Sequence, residues 1–115
     1  MRTLLAIILL CGLSATAKTY TVTAYCPCAE CCGRWSGGAT ASGRMPQAGI
    51  TVAASRRIPL GTWLNIAGLG KRRVDDRLAR RYDGRIDVFF PTHAQAAAFG
   101  KRRVAVSITK KYARP

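Results

Sequence analysis

The sequence predicts a mainly β domain, a small six-stranded barrel or sandwich carrying one or two short helices. Three observations predict it. Short runs rich in β-branched and aromatic residues recur, with turn residues between them roughly every eight to twelve positions. At 115 residues the chain suffices for one domain with a modest core. A single segment, around Thr92 to Gly100, carries both a helix start and a helix stop signal.

The strands are expected at Thr19–Ala24, Ile50–Ala53, Trp63–Ile66, Arg72–Val74, Arg85–Phe90 and Arg103–Thr109. Between the first two lies a long loop from Pro27 to Gly49, which holds five glycines and three of the four cysteines of the Cys26–Cys32 segment. Loops of that length in a small domain are functional or covalently pinned. The helix runs from Thr92 as N-cap through His93-Ala94-Gln95-Ala96-Ala97-Ala98-Phe99, with Gly100 at its end. A second short helix is expected over Leu78 to Tyr82. The run Gly70-Lys71-Arg72-Arg73-Val74 recurs as Gly100-Lys101-Arg102-Arg103-Val104, a five-residue match in an arginine-rich chain.

Residues 1–17 read as a cleaved secretory signal peptide, leaving a domain over residues 18–115. Arg2 is the positive head, Leu4 to Leu13 the apolar core and Ala15-Thr16-Ala17 the small-x-small cleavage site. The core is too short to span a bilayer as a helix, and no other segment could do so. Lipidation at Cys11 is the rival reading, opposed by the bulky Leu10 before it. A secreted protein, or one in the periplasm or at the outer membrane, is therefore expected. The formal charge is +14. An excess of that size concentrates a protein near polyanions. Behind a signal peptide these are anionic cell-envelope polymers, and nucleic acid is disfavoured.

Only Glu30, Asp75, Asp76, Asp83 and Asp87 are acidic, and four of these five fall between positions 75 and 87. Asp87 sits inside Ile86-Asp87-Val88-Phe89-Phe90, which reads as a buried strand. An acid there is hard to ionise unless something pairs with it, so its pKa is expected to rise. A raised carboxyl pKa is what a general acid needs to protonate a glycosidic oxygen. The alternative is a structural aspartate paired with an arginine. Asp83 is expected in a turn, and His93, at a helix start, in a structural role.

Cys26, Cys28, Cys31 and Cys32 are an even set in a chain expected to be exported. Two disulfides pinning the long loop follow, Cys26 and Cys28 each bonding one of the adjacent pair; a zinc site is the alternative. The expectation is no metal and no cofactor.

Taken together, Tyr25-Cys26-Pro27-Cys28, Cys31-Cys32-Gly33, Thr40-Ala41-Ser42-Gly43, Thr51-Val52-Ala53-Ala54-Ser55, Ile58-Pro59-Leu60-Gly61-Thr62, the Asp76 and Asp87 segments and His93…Phe99-Gly100 resemble the 3D (three-aspartate) domain of cell-wall proteins. More loosely they resemble the RlpA-like and MltA-like lytic transglycosylases. The resemblance runs from about Thr21 to about Ile108. It implies a double-psi β-barrel and cleavage of O-glycosyl bonds in peptidoglycan glycan strands during cell-wall turnover. It also implies Asp87 as the catalytic acid and then base, and Asp76, eleven residues earlier, as its charged neighbour. The chain departs from the family at Ala54, where the first family aspartate is expected. It also has Ser55 and Arg44 where the RlpA-like enzymes place a His and a Glu. The alternative function is a non-catalytic module of the same fold that binds peptidoglycan. Thr40, Ser42 and Tyr25 could offer hydroxyls to a sugar groove and Trp35 a stacking platform, while Trp63 suits the core.

Overall fold

The computed structural model describes residues 16–110. Most of the expected signal peptide, Cys11 included, lies outside the described residues. Six strands are present: β1 (Lys18–Tyr25), β2 (Thr51–Ala54), β3 (Trp63–Ile66), β4 (Gly70–Arg77), β5 (Arg85–Phe89) and β6 (Arg102–Lys110). Among the described residues two short helices, α1 (Ala29–Cys32) and α2 (His93–Phe99), join them, with 3-10 turns at Gly33–Trp35 and Arg80–Tyr82. No helix among the described residues is long and apolar enough to cross a membrane.

The strands form one sheet that closes into a ring in the order β1-β5-β2-β4-β3-β6. Pairs β1·β5 and β2·β4 are parallel; the other four are antiparallel. The pattern maps onto itself when β1, β2 and β3 are exchanged for β4, β5 and β6, so the chain consists of two equivalent halves. Gly70–Val74 enters β4 and Gly100–Val104 enters β6, which are not partners in this exchange. The sequence repeat therefore does not mark the structural one.

Period-two alternation fills the ring. Val22, Val52, Leu64, Ile66, Val74, Ile86 and Val88 are fully buried and form the core with Phe99 of α2. Burying each aliphatic side chain contributes roughly 1.5–3 kcal/mol. The β3–β4 hairpin turns at Ala67–Leu69, where the Leu69 amide donates to the Ile66 carbonyl at 2.9 Å. Gly68 there has φ +84°, a conformation other residues seldom adopt. Helix α2 starts where its cap predicts: the Thr92 hydroxyl accepts from the Gln95 amide at 3.2 Å.

One irregularity positions the acids. Thr51 pairs with Arg73 and Val52 with Val74, but Ala53 pairs with Asp76, so Asp75 is an extra residue in β4. Such a bulge lets one strand re-aim its side chains. Asp75 turns into the fold, 1% exposed, where Arg73 Nε donates to Oδ1 at 2.6 Å and the Thr51 hydroxyl to Oδ2 at 2.8 Å. Asp76 takes the position opposite Ala53 that Asp75 would otherwise have held.

Candidate functional site

Asp87 on β5 pairs in register with Thr23 on β1 and with Ala53 on β2, and Ala53 pairs in turn with Asp76 on β4. Paired residues in a sheet share a face. Thr23, Asp87, Ala53 and Asp76 therefore form one row across four strands, on the face opposite the core residues Ile86, Val88, Val52 and Val22. The small Ala53 separates the two aspartates. Their backbones stand two strand spacings apart, roughly 9–10 Å.

The two carboxylates are held differently. Thr23 Oγ1 donates to Asp87 Oδ1 at 3.0 Å, and no arginine or lysine forms an ion pair with Asp87 among the described residues. Burial pushes the Asp87 carboxyl from its ordinary 3.8 up to about 6. The Thr23 hydrogen bond and the Arg85 charge pull downward, and the Asp76 charge adds an upward push. Asp76 Oδ1 instead accepts from the backbone amides of Ala41 (3.0 Å) and Arg77 (2.9 Å). The Arg77 guanidinium turns away and donates to the carbonyls of Ser55 and Ile58.

A cleft of about 190 Å³ opens beside Asp87, walled by Thr23, Tyr25, Cys31, Tyr82 and Arg85. The Tyr25 ring packs edge-on against Phe89, and its buried hydroxyl makes no hydrogen bond among the described residues. Burial first, then the charges of Asp76 and Asp87, raise the Tyr25 phenol above its ordinary value. Arg85 lies 4.5 Å over the Tyr82 ring. Thr23, Tyr82 and Arg85 were not singled out in the sequence. Period two brings Thr23 and Arg85 to this face, but only the strand register shows that Thr23 meets Asp87.

Thr40 and Ser42 do something other than line this cleft. The Thr40 hydroxyl donates to the Arg44 carbonyl at 2.7 Å and contacts the Ser42 hydroxyl at 2.8 Å. Both residues build a tight turn that docks on β4 through the Ser42 amide to the Asp75 carbonyl and the Ala41 amide to Asp76. Their contribution is to fix Asp76. Trp35 is 72% exposed beside Arg34 and lies outside the cleft wall. Ala54 is fully buried in the core cluster and offers nothing to the row.

The cysteines depart from the expected pair of disulfides. All four are free. Cys26 Sγ lies 3.0 Å from Cys28 Sγ and 3.2 Å from Cys31 Sγ, well beyond the ~2.05 Å of a disulfide. Cys32 turns aside to donate to the Cys26 carbonyl. The short helix α1 folds the segment back on itself, the Cys32 amide donating to the Cys28 carbonyl. His93, expected to be structural, sets Nδ1 at 3.6, 3.5 and 3.7 Å from the sulfurs of Cys26, Cys28 and Cys31. Burial holds the Cys26 thiol above its usual range, and the hydrogen bond it donates lowers Cys28. Set beside known proteins, the chain matches no family model and no curated protein.

Proposed function

We propose that this chain is a double-psi β-barrel enzyme that cleaves peptidoglycan glycan strands as a lytic transglycosylase, exported through its N-terminal segment. The observation carrying this reading is Asp87: a carboxyl raised to about 6, without an ion-pair partner among the described residues, at the wall of a cleft. The exchange symmetry of the ring supports the barrel type, since a double-psi barrel is built from two similar halves.

In the proposed reaction, protonated Asp87 gives its proton to the glycosidic oxygen as that bond breaks. The resulting carboxylate then takes the proton from the muramic acid 6-hydroxyl, whose oxygen closes onto the anomeric carbon as a 1,6-anhydro ring. One group serves as acid and then base, and no water is consumed. Asp76, across Ala53, supplies negative charge toward the developing oxocarbenium ion. The basic surface holds the enzyme near anionic envelope polymers.

A second reading, a glycan-binding module without turnover, is favoured by one observation. Ala54 is sealed in the core, so the position of the first family aspartate presents no carboxylate. Incubation with purified sacculi separates the two. Anhydro-muropeptides support the enzyme, retention on sacculi without products supports the module, and neither retention nor products overturns both.

A further inference from the structure

We propose that Cys26, Cys28, Cys31 and His93 form a tetrahedral zinc-type site that fastens the wall of the cleft. One donor atom from each residue lies within 4.8 Å of all the others. With Zn–S of about 2.3 Å and Zn–N of about 2.0–2.1 Å, tetrahedral ligand atoms stand roughly 3.5–3.8 Å apart. The three His93-to-sulfur distances of 3.5, 3.6 and 3.7 Å match that spacing. The two sulfur pairs at 3.0 and 3.2 Å are tighter and open by under ~1 Å on loading.

Three features favour a metal over disulfides in this arrangement. The imidazole points one ring nitrogen at three sulfurs, a contact for which cystine bridges have no use. The other ring nitrogen, Nε2, faces the exposed Glu30 carboxylate at 3.7 Å, just beyond hydrogen-bond distance and on the side where metal-bound histidines commonly have an orienting carboxylate. Cys32, next in sequence to Cys31, is excluded, whereas the disulfide pattern requires it. Soft thiolates with one imidazole in a closed four-ligand set suit zinc and leave no open position for catalysis. On binding, the thiols release their protons to solvent and no electrons are transferred. Zn²⁺ with three thiolates and a neutral imidazole carries one net negative charge, which a strongly basic protein accommodates.

The ligands come from three places. Cys26 directly follows β1, Cys28 and Cys31 bracket the start of α1, and His93 opens α2 shortly after β5. One ion therefore ties the ends of the two parallel strands that hold Thr23 and Asp87 to the segment that puts Cys31 in the cleft wall.

The test uses the full chain produced with zinc and purified without chelator. One zinc per chain is expected by elemental analysis, and chelation should free three additional thiols for a thiol reagent. Cobalt in place of zinc should give the visible bands of tetrahedral thiolate coordination. Cys28→Ser and His93→Gln should each lower zinc affinity at least ~10-fold in a chelator competition, while Cys32→Ser should match wild type. Circular dichroism of each variant confirms that it is folded. Loss of four thiol hydrogens with no metal would overturn the site in favour of disulfides. Equal affinity in Cys28→Ser, His93→Gln and wild type would overturn the ligand assignment.

Discussion

Strand β4 buries Asp75 and strand β5 half-buries Asp87, and the two acids are treated in opposite ways. Asp75 has every need met: two nitrogens of Arg73 and the Thr51 hydroxyl reach its carboxylate at 1% exposure. Among the described residues Asp87 has one hydroxyl and no ion pair, and partial burial raises it to about 6. A matched charge is a fastening and an unmatched one is a reagent. The bulge in β4 separates these roles by one residue, since it sends Asp75 inward and leaves Asp76 on the row with Asp87.

The largest expected effect breaks the β5 side. Asp87→Asn keeps size and can still accept from Thr23 but cannot donate the proton, so turnover on sacculi should fall by at least ~10²-fold with binding retained. The same variant tests the pKa through stability. The folded-state value lies above the ordinary one, so Asp87 stabilises most below pH 3.8, and that contribution disappears as pH rises through about 6. At pH 7 Asp87→Asn should therefore be more stable than wild type by on the order of 1–2 kcal/mol, a gap that closes toward pH 4 in urea titrations.

Breaking the β4 side should do the reverse. Asp75→Ala leaves Arg73 and Thr51 without their partner and should destabilise by about 3 kcal/mol, read as a lower urea midpoint. Equal stability losses at Asp75 and Asp87 would erase the contrast between them.

Two milder variants sharpen it. Thr23→Val removes the hydrogen bond that lowers the Asp87 pKa, so the alkaline limb of the pH–rate profile should move to higher pH. Asp76→Asn removes an upward push, so that limb should move slightly to lower pH, with a smaller loss of rate than Asp87→Asn. Shifts in the same direction would show that the acid of the reaction is another group.

Much of this was legible in the residues. Period-two runs located the strands because each has one face in the core, and Trp63–Ile66 and the Thr92-capped helix fall where their patterns put them. The apolar setting of Asp87 announced its raised pKa. What stayed hidden depends on register and distance. No local signal at Asp75 foretells a bulge, because Thr51 reaches it only when β2 and β4 pair. His93 stands 67 residues from Cys26, so their meeting depends on the whole ring. Helix α1 is a single turn of four residues, too short for any periodicity to betray it. Thr40 and Ser42 looked like free hydroxyls, and only the folded turn shows them occupied with each other.

The exchange of halves also dictates how the chain can fold. Each of the six strand pairings joins one strand from β1–β3 to one from β4–β6. Neither half can therefore complete a single ladder alone, and the N-terminal half has no sheet to form until β4 exists. Among the described strands only the β3–β4 hairpin joins consecutive ones, by a three-residue turn at Ala67–Leu69. Every other pairing closes a long loop, which slows folding. Cutting the chain at that turn should give two fragments that are each unstructured and regain the sheet only when mixed.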